Sequence, residues 1–355
     1  MAIGDQRDLE LARKNLITYF GRALPGARDI DVTNLTAPGM GFSNETLLVD
    51  LSYAQDGTRH DEKLVIRVKP HAQVFPEYDL RRQYTVMQML EPTDVPVPHM
   101  RWFEEAADTL GASFYVMDRI DGVVPPDHPT YHVAGCCIDM TPASRAALWW
   151  DGLDKLARIH KLDWRALGFD FLGRPGLGAT PLAQELAYYR HYLAWAAEGR
   201  PQPTVEAGLA WLLAHQPKDE PVGLCWGDSR IGNMIFADDR CVAVLDWEMA
   251  SLGSPEQDLG WWLFLDWHHS AGIGVAPLEG FPSRAETIAR YQQLTGRAVR
   301  NLHYYEAFAA FRFAIVMIRI AQLTRAAGLF TPDDFETNNI PTQGLARLLD
   351  LPPPA

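Results

Sequence analysis

Residues 222–248 constrain the fold of this chain more than any other stretch, because three short apolar segments there enclose a polar loop and end in acidic residues. The segments 222–225, 234–236 and 242–245 have the length and composition of buried strands. A tight polar loop, residues 226–233, joins the first two. The sequence Ala-Asp-Asp-Arg between the second and third is typical of a hairpin turn. Polar side chains at such strand ends are held by a rigid scaffold, which is where proteins commonly place chemistry.

Three polar residues of this stretch have the spacing of a known catalytic pattern. Asp228 and Asn233 are separated like the base and the metal-binding Asn of the protein-kinase catalytic loop, and Asp246 ends the next hairpin, where kinases keep a second metal ligand. Phosphoryl transfer needs a carboxylate to accept the proton of an alcohol and hard oxygen ligands for Mg²⁺. Each residue alone would indicate an acidic surface loop, but the three together favour a kinase.

Composition excludes several other classes of protein. The chain has 355 residues, 47% of them hydrophobic, which predicts a sizeable core and either two domains or one large two-lobed unit. A net charge of −13 argues against a nucleic-acid partner and, more weakly, against an anionic membrane surface. The sequence contains no Walker loop, no H-E-x-x-H and no G-x-S-x-G, so P-loop kinases, zincins and α/β-hydrolases are not expected.

A cytoplasmic location is expected from the cysteines and the N-terminus. The four cysteines show no C-x-x-C spacing and are too few for a disulfide framework, which favours reduced thiols. The first residues lack the basic-then-apolar pattern of an export signal. The apolar segment 313–318 is too short to span a bilayer, so no membrane association is expected.

The part of the chain before residue 119 is predicted to form a small antiparallel β-lobe. Its predicted elements are a helix at 8–24, strands at 30–35, 47–51 and 63–69, a helix at 79–90 and a strand at 114–117. Gly39 and Gly41, in the loop between the first two strands, could let backbone N–H groups approach phosphates. The same G-x-G pattern is also typical of an ordinary hairpin turn, and it recurs twice later in the chain.

A cation on the third strand is a second candidate for phosphate binding. Protein kinases keep a phosphate-binding Lys on that strand. Here Arg67 and Lys69 fall on one face of the strand, because side chains alternate between faces. Either could bind phosphate, and a solvated charge at a sheet edge is the alternative interpretation.

The remainder of the chain is predicted to be mainly helical. The predicted helices lie at 144–162, 181–197, 205–215, 256–267, 283–296 and 302–327. Arg312 and Arg319, seven apart on the last helix, would pair with acids of the core or bind an anionic substrate. His160 fits an interior histidine that orients a loop. His268 and His269 are adjacent and point apart on a helix, which argues against a metal pair.

The ordered motifs resemble the aminoglycoside phosphotransferase and choline kinase family of small-molecule kinases. Within it they resemble the branch whose kinase-like domain is fused to acyl-CoA dehydrogenases. The resemblance covers about residues 36–349 and rests on the segments 41–46, 64–67, 95–98, 114–118, 156–160, 227–233 and 245–248, on Gly253 and on 258–260. It implies an α+β, bilobal protein-kinase-like fold. Residues 1–118 would form a nucleotide-binding N-lobe of antiparallel strands, and residues 119–355 a mainly helical C-lobe with the catalytic loop, metal site and acceptor pocket.

The resemblance also implies a role for individual residues. It implies that Asp228 is the catalytic base and that Asn233 and Asp246 bind Mg²⁺. Nucleotide-binding positions are implied for Gly39, Gly41, Ser43, Asn44, Arg67 and Met117, with Ser43 and Asn44 covering the phosphates and the segment after Met117 contacting adenine. Asp258 matches an acid that braces the catalytic loop, and Glu248 matches a carboxylate near the metal.

Two positions depart from the family pattern. Trp226 stands where the family usually has the His of His-Gly-Asp, and a packed aromatic could brace the loop in its place. Gln83 stands where the family usually has a Glu that pairs with the strand-three cation. An amide can hydrogen-bond Arg67 but offers no ion pair, which leaves room for a degenerate kinase.

These observations predict an ATP- and Mg²⁺-dependent kinase that phosphorylates a hydroxyl group of a small molecule, acting as a monomer or homodimer. The acceptor pocket is expected between the aromatic helix around Trp261 and Trp262 and the C-terminal helices. That aromatic content favours an apolar or acyl-bearing alcohol, although a core role for these residues is the alternative. A catalytically degenerate binding protein and an aminoglycoside or macrolide kinase are the two rival functions.

Overall fold

The computed structural model describes residues 7–38, 45–329 and 331–354. Gly39, Gly41, Ser43 and Asn44, predicted to bind nucleotide, lie outside these residues. The helices are α1 (Leu9–Ala23), α2 (Leu80–Leu90), α3 (Cys136–Asp139), α4 (Pro142–Lys161), α5 (Pro181–Ala197), α6 (Pro203–Ala214), α7 (Glu256–His269), α8 (Arg284–Thr295), α9 (Leu302–Ala326) and α10 (Ile340–Leu348). The strands are β1 (Arg28–Thr36), β2 (Glu45–Gln55), β3 (Thr58–Val68), β4 (Met100–Glu104), β5 (Phe114–Asp118), β6 (Gly223–Cys225), β7 (Met234–Ala237), β8 (Arg240–Val244) and β9 (Ser251–Gly253).

The first five strands form one antiparallel sheet in the order β1-β2-β3-β5-β4. Leu64 and Ile66 of β3 pack into the apolar cluster beneath α1, whereas Val65 packs into the cluster that continues into the helical lobe. Alternation along the strand therefore places Arg67 on the face of Val65, towards the helical lobe. Strand β4 is not among the predicted strands, because the prolines that precede it favour an irregular segment.

Helices α7 and α9 form the centre of the helical lobe. Gly260 lets them approach closely, because a Cβ at this position would lie 2.7 Å from the backbone carbon of Tyr305. Helix α9 is long and apolar enough to cross a membrane by length and composition, but 61% of its most apolar window is buried inside the protein. Together with the antiparallel sheet, this helical lobe confirms the predicted α+β, two-lobed kinase-like fold.

Local sequence signals explain several helix and turn boundaries. Ser283 and Glu286 form a capping box at the start of α8, and Gly296 ends the helix with a φ of 69°. Asp238 and Asp239 join β7 to β8 and have φ angles of 49° and 61°. Two positive φ angles are the requirement of a tight hairpin turn whose twist matches the strands. Strand β6 does not pair with β7 but with β9, so residues 222–248 contribute strands to two small sheets.

Candidate active site

Asp228 lies in the loop between β6 and β7, and both of its carboxylate oxygens accept hydrogen bonds. The Asn233 side chain donates to Oδ2 at 2.7 Å and to the Asp228 backbone carbonyl at 3.1 Å. The Arg230 Nε and the Trp261 indole N–H donate to Oδ1 at 3.0 and 2.8 Å. Three residues therefore hold the carboxylate in one orientation. Of these, only Asn233 was predicted as a catalytic or metal-binding residue.

Asp258, in the first turn of α7, braces the loop that carries Asp228, as the resemblance implied. Its carboxylate accepts the backbone N–H groups of Trp226 at 2.6 Å and Gly227 at 2.9 Å. His160 Nε2 lies 3.0 Å from the same carboxylate, and its Nδ1 lies 2.6 Å from the Tyr291 hydroxyl. His160 is thus the interior, loop-orienting histidine that its position on α4 predicts.

Trp226 occupies the place of the family's histidine as a fully buried aromatic. Its indole N–H donates to the backbone carbonyl of Leu245 at 2.8 Å, and its ring lies 6.0 Å from that of Trp247. Leu245 immediately precedes Asp246. Trp226 therefore ties the loop that carries Asp228 to the segment that carries Asp246, and the predicted aromatic brace is observed.

Arg312 of α9 also contacts the loop that carries Asp228. Its Nη2 donates to the Gly227 carbonyl at 3.1 Å, and its guanidinium lies over the rings of Trp261, Tyr189 and Phe308 at 4.7, 5.0 and 5.4 Å. Of the two roles predicted for this arginine, pairing with a core acid or binding a substrate anion, neither describes these contacts.

Arg319, seven residues further along α9, lies away from the catalytic loop. Its guanidinium is 4.3 Å from the ring of Trp195 and 3.4 Å from Glu198. Arg319 therefore contacts an exposed acid and an aromatic ring, and binding of a substrate anion by the two arginines stays a prediction.

Asp246 lies beside Arg67, one of the two strand-three cations predicted to bind phosphate. Arg67 Nη2 is 3.7 Å from Asp246 Oδ2, and Arg67 Nη1 donates to the Thr46 hydroxyl at 2.9 Å. Lys69 lies beyond the end of β3. The arginine hydrogen-bonds Thr46 rather than Gln83, whose side-chain N–H group donates to the Tyr78 hydroxyl at 3.2 Å.

The pKa of Asp246 is raised although Arg67 lies beside it. Burial raises its pKa, the Arg67 guanidinium opposes this rise, and the nearby Asp228 charge adds to it. Its Oδ1 is buried and has no hydrogen-bond partner, and its φ is 58°. A buried, unpaired carboxylate oxygen in strained backbone is costly, so the site is arranged for a function other than stability.

The donor set near Asp246 fits Mg²⁺. Both N–H bonds of the Asn233 amide go to Asp228, which leaves its carbonyl oxygen available as a ligand. Across the described parts of the chain no group of three or more His, Cys, Asp and Glu residues could hold a metal ion. Mg²⁺ does not require such a cage, because it commonly takes one or two protein oxygens and completes its shell with phosphate and water.

Met117 lies on β5 opposite Val65, on the face that also carries Tyr115 and Arg67. It is buried, and its neighbour Asp118 ends the strand. Arg67 and Met117 are the predicted nucleotide-binding residues that the structure describes. Both therefore lie on the face of the sheet that is turned towards the helical lobe.

Asp127 and Arg230 complete the surroundings of Asp228 and were not predicted. Arg230 forms an ion pair with Asp127 as well as with Asp228, and His269 Nε2 lies 3.6 Å from Asp127. Burial disfavours ionisation of Asp127, but the Arg230 guanidinium, with His269 and His128, keeps its pKa below the ordinary value. An arginine two residues after Asp228 is visible in the sequence, but its partner Asp127 lies 103 residues away, beyond any spacing argument.

Comparison with known proteins shows one matching family and several similar proteins. The model of the phosphotransferase enzyme family matches residues 34–302. Acyl-CoA dehydrogenase family member 11 of Gallus gallus is 30% identical over 317 residues, covering 84% of this chain and 38% of that protein. Acyl-CoA dehydrogenase family member 10 of Mus musculus is 29% identical over 289 residues, covering 78% of this chain and 25% of that protein. The chain thus spans well under half the length of the curated relatives it matches, and the predicted branch is confirmed.

Solved structures share the fold over nearly the whole chain. A candidate aminoglycoside phosphotransferase of Ralstonia eutropha has a TM-score of 0.69 and 25% identity, covering 95% of this chain and 98% of that protein. A macrolide 2′-phosphotransferase of Brachybacterium faecium has a TM-score of 0.54 and 18% identity, covering 94% and 97%. At 18% identity, the similarity to the macrolide phosphotransferase shows a shared fold alone.

Proposed function

Because this chain belongs to the phosphotransferase enzyme family, we propose that it transfers the γ-phosphoryl group of ATP, with Mg²⁺, to a hydroxyl group of a small molecule. One observation carries the proposal. The Asp228 carboxylate is oriented by Asn233, and Asp246, beside Arg67, has a buried Oδ1 without a hydrogen-bond partner. A base, an amide oxygen and a second carboxylate are groups that phosphoryl transfer uses.

Asp228 serves as the base in this proposal. Each carboxylate oxygen offers two lone pairs, and Oδ1 already accepts two hydrogen bonds whereas Oδ2 accepts one. The open lone pair of Oδ2 is therefore the position that receives the acceptor hydroxyl and takes its proton. The bond from Asn233 to the same oxygen keeps the carboxylate from rotating away from the acceptor.

Asn233 and Asp246 would hold the metal through the carbonyl oxygen of the amide and the unpartnered Oδ1 of the carboxylate. When bound, Mg²⁺ supplies positive charge that neutralises the phosphate oxygens during transfer. Arg67 would add a second positive charge on the sheet side of the cleft, since the Thr46 hydroxyl and Asp246 hold its guanidinium beside the metal position. Gly39, Gly41, Ser43 and Asn44 remain predicted phosphate-covering residues, and Met117 remains the predicted start of the adenine-contacting segment.

The proposed class of acceptor is supported more by the similar proteins than by the aromatic residues of α7. Trp261, Trp262 and Phe264 are each about 2% exposed, so the core interpretation applies to these three aromatic residues. A cavity of about 430 Å³ does lie between α7 and the C-terminal helices, but no residue of the catalytic loop lines it. The kinship with acyl-CoA dehydrogenase family members supports an acyl-bearing alcohol, with a hydroxyacyl thioester as the first candidate.

Nucleotide binding provides the decisive first test. Thermal unfolding is measured with ATP, GTP or no nucleotide, each with and without Mg²⁺, for the wild type and for Asp246→Ala. A ligand at about 100 times its Kd stabilises the folded state by about 2.7 kcal/mol. We expect a magnesium-dependent shift with nucleotide in the wild type and none in the variant. A well-folded wild type that responds to no nucleotide would favour the degenerate binding protein.

Turnover then separates the remaining possibilities. Hydroxyacyl thioesters, simple hydroxy acids, aminoglycosides and macrolides are offered with ATP and Mg²⁺, and ADP release is followed for the wild type and Asp228→Asn. We expect turnover with the thioesters that falls by several orders of magnitude in the variant. Turnover confined to aminoglycosides or macrolides would identify an antibiotic kinase, and unchanged turnover in Asp228→Asn would exclude this role of the base.

A further inference from the structure

We infer that Trp261 positions the catalytic base, an inference that rests on the proposed function. Its indole N–H donates to Asp228 Oδ1 at 2.8 Å, and the residue is only 2% exposed. A hydrogen bond between a buried N–H group and a carboxylate is stronger than one between neutral groups, and it fixes the direction of the carboxylate plane. Trp261 lies 33 residues after Asp228 and belongs to no catalytic motif of the sequence.

Helix α7 presents two contacts to the catalytic loop from one face. Asp258 and Trp261 are three residues apart, so they lie on neighbouring turns of the same side. Asp258 binds the backbone just before the base through Trp226 and Gly227, while Trp261 binds the side chain of the base itself. One rigid helix therefore fixes both the backbone and the carboxylate of Asp228.

The ring of Trp261 is itself held in place from α9. The guanidinium of Arg312 lies 4.7 Å from the Trp261 ring and donates to the carbonyl of Gly227. Phe313 packs against the same indole with a ring-centre distance of 5.8 Å. Because Arg312 contacts both Trp261 and Gly227, the indole cannot shift along the loop without breaking a buried cation–π contact and a buried hydrogen bond.

Trp261 and Arg230 together determine where the acceptor hydroxyl arrives. Their two hydrogen bonds fill both lone pairs of Oδ1, so the proton of the acceptor is directed to Oδ2. Without the indole N–H, the carboxylate could rotate and Oδ1 could compete for the proton in an unproductive direction. The expected defect is therefore in the chemical step and not in acceptor binding.

Trp262 provides a matched control on the same helix. It is also about 2% exposed and packs edge-on against Trp149 at 5.1 Å, but its indole N–H has no hydrogen-bond partner. Trp261→Phe and Trp262→Phe thus make the same change in equally buried positions. Only the first removes a hydrogen bond to the base.

The kinetic test compares these two variants after thermal melts have shown that both fold. A hydrogen bond to a charged group is worth about 1.5–3 kcal/mol, so Trp261→Phe should lower kcat by about 10- to 100-fold. The KM for the acceptor should stay within about threefold, because the lost hydrogen bond orients the base and does not bind the acceptor. Trp262→Phe should remain within about twofold of wild type. Equal kcat values for the two variants would overturn the inference.

A spectroscopic readout tests the contact independently of turnover. In protein labelled with ¹⁵N-tryptophan, the indole resonances of Trp261 and Trp262 are identified by their absence in the corresponding Phe variants. Asp228→Asn should shift the Trp261 indole resonance more than that of Trp262. Equal shifts would overturn the inference, whereas a wild type that shows this difference but phosphorylates no acceptor would count against the proposed function only.

Discussion

The carboxylate of Asp258 accepts the backbone N–H of Gly227 at 2.9 Å, immediately before the proposed base. The same fully buried carboxylate accepts the N–H of Trp226 and lies within hydrogen-bonding distance of His160. All three of these partners are nitrogens, and the two backbone groups can only donate. A buried site with this set of donors is built for a carboxylate, which only accepts hydrogen bonds.

Asp258→Asn is therefore expected to destabilise the protein. The amide has one acceptor oxygen in place of two, so its NH₂ group would face a backbone N–H and leave it unsatisfied. Loss of a hydrogen bond to a buried charge costs about 1.5–3 kcal/mol, and we expect a decrease of this size in the free energy of unfolding from urea titration. Asp238→Asn, the same change at an exposed turn position that suits Asn, should cost less than about 0.5 kcal/mol. A similar cost at both sites would contradict this role of Asp258.

Gly227 is expected to tolerate no side chain. Its φ is 94°, and a Cβ there would lie 2.1 Å from the backbone oxygen of Met249. Gly199 has a similar φ of 81° but no atom within 4 Å of the added Cβ. Gly199→Ala should therefore show the backbone cost alone, about 1–2 kcal/mol, whereas Gly227→Ala should lose at least about 3 kcal/mol of unfolding free energy or fail to fold. Comparable urea midpoints for the two variants would show that the loop moves to make room.

Asp246→Asn should behave in the opposite way from Asp258→Asn. The folded-state pKa of Asp246 is raised, so above both its folded and unfolded pKa the ionised carboxylate destabilises the native state. Removing the charge relieves this cost and also removes the ion pair with Arg67. Without ligands we expect the variant to unfold at a urea concentration no lower than the wild type, while the magnesium-dependent nucleotide shift disappears. A clear loss of stability would mean that the ion pair with Arg67 outweighs the cost of burying the charge.

The short-range part of the candidate site could be predicted from sequence. Asp228, Asn233 and Asp246 lie within one strand–loop–hairpin, where spacing along the chain determines spacing in the fold. Asp258 could be placed as a loop brace because the family resemblance supplied the tertiary relationship, whereas the interior, loop-orienting role of His160 followed from its place in a predicted helix. The two lobes followed from a strand-rich first part and a helix-rich second part, each with its own periodicity.

The contacts that surround the base could not be predicted in this way. Trp261 and Asp127 reach Asp228 and Arg230 across 33 and 103 residues, and nothing in their local sequence distinguishes them from core or linker residues. The partner of Gln83 could not be predicted either. The sequence allows a hydrogen bond from its amide to Arg67, but in the folded protein the amide donates to the Tyr78 hydroxyl. Long-range polar pairing depends on which helix faces which loop, and hydrophobic periodicity does not encode that choice.

Two adjacent buried histidines near the base give the protein a predictable sensitivity to acid. His269 faces Asp127, and its Nδ1 and that of His268 have no hydrogen-bond partner. Burial lowers the pKa of His268 to about 4 and that of His269 to about 3, despite the opposing charge of Asp127. Arg230 and His128 also lower both values. The folded protein therefore keeps both rings neutral at pH values where the unfolded chain protonates them.

Because the folded pKa lies below the unfolded value of 6.5, each histidine leaves stability unchanged above that pH and lowers it as the pH falls from 6.5 towards the folded pKa. The uptake of one proton on unfolding lowers the unfolding free energy by about 1.4 kcal/mol per pH unit. Because this uptake begins only below the unfolded pKa of 6.5, the total change between pH 7.5 and 5 is about 2 kcal/mol. His269→Gln removes one such proton, so its unfolding free energy relative to wild type should improve by about 2 kcal/mol over that interval. Urea titrations at pH 7.5, 6 and 5 measure this difference. His303→Gln, at an exposed position, should leave the pH dependence unchanged, and an equally steep decline in His269→Gln and wild type would show that the native structure admits the proton.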